Sequence, residues 1–335
     1  MIGRAGFPRA GAATIALMLF IWTYTFHTSI STVPTTVTSN HSPNKNKQNE
    51  AEVQTSSPGE GMGAASTNDR IASTKVQFSP PIETESKTFE KTVIMGKIKT
   101  EDGEWPQKEL SDWRPVVYSM DDPEAEGYFP VSANKGREAM AYLTYLINFY
   151  DNLTDINVFI HAHNGSYPKA WHNEPQSAKY SAVQMLQLLR LDNIRENGYV
   201  NLRCNTNPGC ITKLRPNQNT FKENAIEPGW QKLWKHMNED KPLPEEVAVA
   251  CCAQFAVSKE KIRERPKAYY EKLREWVLTT DCSDPGRVFE YFWHIMFGMP
   301  MVHCEEAWKY QKCICRTYDC GNAKRSPVDI FGGGF

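Results

Sequence analysis

The sequence predicts an α/β domain, an open and mostly parallel sheet with flanking helices, preceded by a membrane anchor and a disordered stalk. Three observations predict it. Short apolar runs alternate with a helix-period segment between residues 92 and 160. Residues 12–30 form an apolar run behind Arg4 and Arg9, and residues 31–87 hold few large apolar side chains.

The anchor is the first element. Spanning a bilayer core takes about 20 helical residues, which residues 12–30 just supply. Arginines ahead of the run and none close behind it orient the N-terminus to the cytosol. A cleaved signal peptide with its apolar core at Ala12–Trp22 is the rival reading, and no A-x-A site follows it. Either way the remainder enters the secretory pathway. The expected organisation is a cytosolic tail at 1–11, an anchor at 12–30, a stalk at 31–89 and a luminal domain at 90–335. The expected location is a single-pass type II membrane protein of the Golgi, the endoplasmic reticulum or the cell surface. The stalk cannot bury enough apolar surface to offset its conformational entropy. Asn40 opens a glycosylation sequon within it, and Asn152 and Asn164 open two more.

Within the domain, Thr92–Gly96 and Pro115–Tyr118 read as strands. Asn134-Lys-Gly-Arg-Glu138 opens a helix, with Asn134 as its N-cap. Ala139, Met140, Leu143, Leu146, Ile147 and Tyr150 form the apolar face of that helix. Asn157–Ile160 is the next strand, ending in His161-Ala-His163. Helices are expected at Ser181–Asn197, Lys259–Thr279 and Gly286–Phe297, and strands at Tyr199–Leu202 and Ala248–Val257.

The formal net charge is -1. No basic excess exists to gather phosphate backbones, so nucleic acid is not an expected partner. All nine cysteines lie from Cys204 onward. In an oxidising lumen they are disulfide candidates, and the odd number leaves one outside any set of pairs. Cys204 and Cys210 are close enough in sequence to close a small loop, and Cys313, Cys315 and Cys320 suggest a C-terminal knot. Cys251 and Cys252 are adjacent, and a bridge between them would be strained, so each is expected to pair elsewhere or stay buried.

His161 and His163 are the most pointed chemical feature. Two imidazoles two residues apart share a side of an extended chain and can share a divalent metal, zinc above all. They stand just past a strand's C-terminal end, where open α/β sheets bind ligands. Trp171 and His172 add an aromatic platform and a third imidazole. The plainer role for these rings is fixing the loop by hydrogen bonds to backbone. Glu290 and His294, four apart on the expected helix, share a face and suit general acid–base work, or a simple internal hydrogen bond. The Asn134, Arg137 and Glu138 turn offers backbone N–H groups and cations at a helix start, a setting for a phosphate. Asp121 and Asp122 follow the second strand, where carboxylates hold a ribose or a metal, or a solvated turn.

Several motifs occur together in order: Asn134-Lys-Gly-Arg-Glu-Ala-Met-Ala-Tyr, Val158-Phe-Ile-His-Ala-His163, Trp171-His-Asn173, Leu189-Arg-Leu-Asp192, Gly198-Tyr-Val-Asn-Leu-Arg-Cys204, Cys251-Cys-Ala-Gln-Phe-Ala-Val257 and Gly286-Arg-Val-Phe-Glu-Tyr-Phe-Trp-His294. Across roughly 90–300 they resemble domain-of-unknown-function family 3431, largely fungal. That resemblance implies a domain and its limits, and no activity. The order of elements is also similar to the nucleotide-sugar-binding half of GT-A glycosyltransferases. This implies a nucleotide-sugar transferase acting on a hydroxyl of a glycan acceptor. Asp121, Asp122, Asn134–Glu138, Trp171 and His172 would then meet substrate or diphosphate, and Glu290 and His294 would carry acid–base chemistry. His161 and His163 stand where that family has Asp-x-Asp, so a metal there, manganese or zinc, would sit on imidazole rather than carboxylate. The alternatives are a metal-dependent hydrolase built on the histidines and a non-catalytic luminal binding domain.

Overall fold

The computed structural model describes residues 89–174, 180–218, 226–238 and 240–320. The expected anchor, the stalk and the Asn40 sequon lie outside the described residues. No helix among the described residues is long and apolar enough to cross a membrane.

Six strands form the main sheet, in the order β3-β2-β1-β4-β7-β5. They are β1 (Lys91–Lys97), β2 (Arg114–Ser119), β3 (Phe129–Pro130), β4 (Ile156–Phe159), β5 (Tyr199–Asn201) and β7 (Phe255–Ser258). β3, β2, β1 and β4 are mutually parallel, and β7 runs antiparallel to both β4 and β5. β6 (Ala248–Val249) and β8 (Val302–His303) make a separate parallel pair.

Strand geometry sends successive side chains to opposite faces, and both faces are buried. Ile94, Val116, Tyr118, Phe159, Phe255 and Val257 face one core. There the helices Glu138–Asn148 and Lys267–Thr279 bring Met140, Leu143, Leu273 and Val277. Val93, Met95, Val117, Val158 and Ala256 face the other, with Trp105, Trp113, Met185, Ile194 and Ile314. Helices on both faces of a mostly parallel sheet are the expected α/β architecture. Phe159 and Phe255 stack at 4.8 Å between ring centroids, with Tyr142 and Trp293 around them.

Several expected elements break, each for a local reason. The helix from Lys259 divides into Lys259–Arg263 and Lys267–Thr279, because Pro266 lacks an N–H and disfavours helical backbone before it. The Ser181–Asn197 helix divides into Ala182–Gln187 and Leu191–Asn197. Between them Leu189 bridges to Tyr318, and Arg190 N–H donates to the Thr317 carbonyl. Ala248–Val257 is not one strand, since 250–254 turns between β6 and β7. Helix Ile226–Met237, helix Tyr310–Thr317 and β3 had no reading in the sequence.

Asn134 is not the N-cap of the helix that follows β3. That helix starts at Glu138 behind Arg137, which has φ 52° and no side-chain cap bond. Gly136, at φ 79°, makes the turn. A Cβ on Gly286 would meet the Gly136 carbonyl at 2.8 Å, so the bare glycine lets helix Pro285–Glu290 close on this turn.

Candidate metal centre

β1 leads to β2 on one side, while β4 lies on its other side, so the chain's direction of winding reverses between β1 and β4. Ligands of open α/β sheets bind outside the C-terminal strand ends at such a reversal. Two segments emerge there, Ile98–Glu101 after β1 and Ile160–His163 after β4. They are joined where His163 Nε2 donates to Glu101 Oε1 at 2.9 Å.

His172 comes in from the following loop and completes a cluster. Its ring centroid lies 4.5 Å from that of His161 and 5.3 Å from that of His163. One nitrogen from each of the three rings lies within 4.8 Å of the others. Zinc–nitrogen bonds of about 2.0–2.1 Å would draw the rings inward by roughly an ångström.

Backbone anchoring sets the cluster. Gln254, at the mouth of β7, accepts from His161 N–H at 3.1 Å and donates to the His172 carbonyl and to Asn173 Oδ1. Asn173 Nδ2 reaches the His163 carbonyl at 3.4 Å, and Trp105 Nε1 donates to the Ala162 carbonyl at 2.9 Å. Sequence reasoning singled out none of Gln254, Asn173, Trp105 or Glu101. The first two lie inside the recurring motifs Cys-Cys-Ala-Gln and Trp-His-Asn, which was the available signal.

The ring tautomers follow from the partners. His161 Nε2 meets the Cys252 carbonyl at 2.8 Å, and a carbonyl only accepts, so Nε2 carries the proton. The Glu101 carboxylate fixes His163 likewise. In each neutral ring Nδ1 then holds a lone pair. His163 Nδ1 and His172 Nε2 are buried without a hydrogen-bond partner. Metal-binding histidines characteristically donate their outer N–H to a carboxylate or backbone carbonyl, as His163 and His161 do.

Electrostatics favours the neutral form of His161 and His172, the form that binds metal. Burial, reinforced by His161, His163 and Arg203, pushes His172 down to about 2. Burial lowers His161 too, against the Cys252 carbonyl and Glu290. Burial raises the Glu101 carboxyl, but the hydrogen bond from His163 and that from Ile98 N–H outweigh it and hold it low.

Glu290 joins the site through Cys252, whose N–H donates to Glu290 Oε2 at 3.4 Å while its carbonyl holds His161. Burial raises the Glu290 carboxyl, with Arg287 opposing and Glu138 reinforcing. Cys252 and Ala253 both have positive φ, 84° and 48°. Contrary to the sequence expectation, Cys251 and Cys252 are bridged to each other. The two left-handed residues give the chain the turn that such a bridge needs. Three other disulfides form, Cys204–Cys313, Cys210–Cys304 and Cys315–Cys320. Cys204 and Cys210 therefore do not close a loop together, and Cys282 stands outside the four bridges.

The remaining candidate residues lie apart from the cluster or are engaged elsewhere. Helix Pro285–Glu290 ends at Tyr291 and a new one runs Trp293–Met296, so Glu290 and His294 do not share a helix face. His294 Nε2 donates to the Met301 carbonyl at 3.2 Å, its ring stacks near His303, and burial pushes it down to about 3. Arg137 is tied bidentately to Asp284, at 3.0 and 2.6 Å. Asp121 accepts from Lys99 N–H, and Asp122 pairs with Lys99 Nζ at 3.2 Å, so both staple the loops after β1 and β2. Asn134 is exposed. Trp171, partly exposed, lies under the Arg203 guanidinium at 4.8 Å. The Asn164 side chain donates to Glu109.

Glu138 is a separate pH-sensitive group, raised to about 7 by burial against the pull of its own N–H and Arg137. The folded state therefore holds a proton that the unfolded chain has released. Stability falls as pH rises from about 4.5 toward 7. Glu138→Gln should remove this slope and stabilise the protein at pH 8 by on the order of 2 kcal/mol. Urea unfolding at pH 5 and pH 8 tests this, and an unchanged pH slope in the variant would refute it.

Residues 93–316 match the family described as protein of unknown function (DUF3431). The chain belongs to that family. No curated protein and no solved structure matches it.

Proposed function

We propose that the domain is a metal-dependent, glycosyltransferase-like enzyme that holds a divalent transition metal on His161, His163 and His172. The observation that carries this is the convergence of three imidazoles at the sheet's reversal point, two of them with outer N–H groups already held. An all-imidazole donor set favours zinc over magnesium or manganese. A cation there supplies Lewis-acid stabilisation for the charge that develops on a leaving phosphate.

In this reading the anomeric carbon–phosphate oxygen bond of a nucleotide sugar breaks, and an acceptor hydroxyl oxygen bonds to that carbon. Glu290 takes the hydroxyl proton. Burial raises its pKa, which makes it a stronger base than a solvated carboxylate. Cys252 sets its position relative to His161. The four disulfides support a luminal setting, and the N-terminal sequence supports a type II anchor.

One observation favours a second reading, a metal-dependent hydrolase. Asp284 already claims Arg137, the cation assigned to the diphosphate. A buried carboxylate beside a three-histidine metal would instead activate water. Calorimetry of the zinc-loaded protein with UDP- and GDP-sugars separates the two. Transfer predicts binding that disappears in the His161→Ala, His163→Ala double variant. Stoichiometric zinc without sugar-nucleotide binding would turn the reading to hydrolysis, and absence of zinc uptake would end both.

A further inference from the structure

Two of the sequons, at Asn152 and Asn164, lie among the described residues, and they stand at opposite ends of one strand. Asn164 comes one residue after His163, past the C-terminal end of β4. Asn152 comes four residues before Ile156, where β4 begins. That end of the sheet is also where β1 starts. Lys91 pairs with Ile156, and Ile156 N–H donates to the Glu90 carbonyl at 3.1 Å.

Asn152 presents an unengaged amide. It sits in the turn behind helix Glu138–Asn148, and its own N–H donates to the Phe149 carbonyl at 2.8 Å. The turn is fixed without help from its side chain. Arg263 donates to the Tyr150 and Asp151 carbonyls, at 3.4 and 3.2 Å, and Leu153 is buried in the core. The Asn152 side chain is exposed, and no described residue hydrogen-bonds to it. A bulky hydrophilic group on this amide would displace nothing. Asn164 differs on each count. Its Nδ2 donates to Glu109 at 2.9 Å, its carbonyl accepts from Ala182 N–H at 2.6 Å, and a group on it would stand beside the histidine cluster.

The hydroxyl of the sequon fixes the order of events. N-linked glycosylation requires the Ser or Thr two residues on as well as the amide. Thr154 is 8% exposed. Its Oγ1 donates to the Ile156 carbonyl at 2.8 Å and meets Thr92 Oγ1, on β1, at 2.9 Å. The folded domain presents the amide and encloses the hydroxyl. The acceptor is complete only while β4 has not yet paired with β1.

We propose that Asn152 carries an N-linked glycan, added before β4 pairs with β1, at the end of the sheet opposite the histidine cluster. Asn152 Nδ2 bonds to C1 of the first sugar of a lipid diphosphate-linked oligosaccharide. The bond from C1 to the diphosphate oxygen breaks, its electron pair leaves with the diphosphate, and one amide proton is released. The proposal rests on the luminal setting of the proposed function, and on neither its metal nor its reaction.

The test is expression of the full-length chain in eukaryotic cells, then digestion by an N-glycosidase in heavy-oxygen water and peptide mass spectrometry. Asn152 should take up the label. Asn152→Gln should remove one glycan's step in gel mobility and leave the protein folded. In a second arm, unglycosylated chain is offered to microsomal membranes with a lipid-linked donor. Reduced, unfolded chain should be modified at Asn152, and folded, oxidised chain should not. An unmodified Asn152 in cells overturns the proposal. If Asn40 or Asn164 then carries a glycan, the luminal setting stands and the site alone is wrong. If no sequon is used and Cys204 and Cys313 are free thiols, the luminal setting falls with it. Equal modification of folded and unfolded chain would overturn the order of events. A glycan on Asn152 without zinc uptake keeps this site and removes the metal reading.

Discussion

Replacing His172 by alanine should lower zinc affinity by more than about 100-fold while leaving the domain folded. Residues that only orient a metal ligand typically cost 10–100-fold when lost, and removal of a ligand should exceed that. Glu101→Gln provides the internal scale. Its carboxylate holds the outer nitrogen of His163 without itself being a member of the cluster, so its effect should stay within roughly 10–100-fold. The fold should tolerate His172→Ala because the ring's Nε2 has no hydrogen-bond partner whose loss would strand another group. Chelator competition gives the affinities, and far-ultraviolet circular dichroism gives the fold. An alanine variant that retains wild-type zinc affinity would overturn the centre.

Removing the Cys204–Cys313 bridge should cost about 4–5 kcal/mol, the loop-entropy value for a span near 100 residues. The two cysteines are 109 residues apart in sequence. The Cys315–Cys320 bridge spans five, and the same relation gives it only about 2 kcal/mol. Paired alanine substitutions of each bridge, compared by urea unfolding, should therefore differ by about 3 kcal/mol. Equal losses would show that chain entropy does not govern these bridges. The longer bridge also ties the loop after β5 to the last described helix.

The parallel half of the sheet was legible in the sequence because its strands are continuous apolar runs. Thr92–Gly96, Pro115–Tyr118 and Asn157–Ile160 all lie on observed strands or within one residue of them. Two-faced burial gives such runs an unmistakable composition. The second half was less legible. There a proline, a bridge to Tyr318 and the turn before Gln254 decide where elements stop, and hydrophobic period does not report such contacts. The candidate site followed the same division. His161, His163 and His172 are close in sequence, so a local pattern found them. Glu101 lies 62 residues from His163 and Gln254 lies 93 residues from His161, and no local pattern links either to the cluster. The Glu290–His294 pairing assumed an unbroken helix, and 3₁₀-type bonds from Tyr291 and Phe292 to Val288 and Phe289 end it. Arg137 pairs with Asp284, 147 residues away, a partner that no local pattern reveals.

The bond between adjacent cysteines would make assembly of the proposed centre an oxidative event. Left-handed backbone at non-glycine residues costs on the order of 1–3 kcal/mol each, and Cys252 and Ala253 both adopt it. A nascent chain with thiols at 251 and 252 lacks the covalent ring that holds this shape. The peptide that aims His161 and Glu290 then relaxes. Thiol-containing buffers reduce this bridge together with the other three, so under the proposed metal-site reading material made in a reducing cytosol should bind zinc less tightly than oxidised protein.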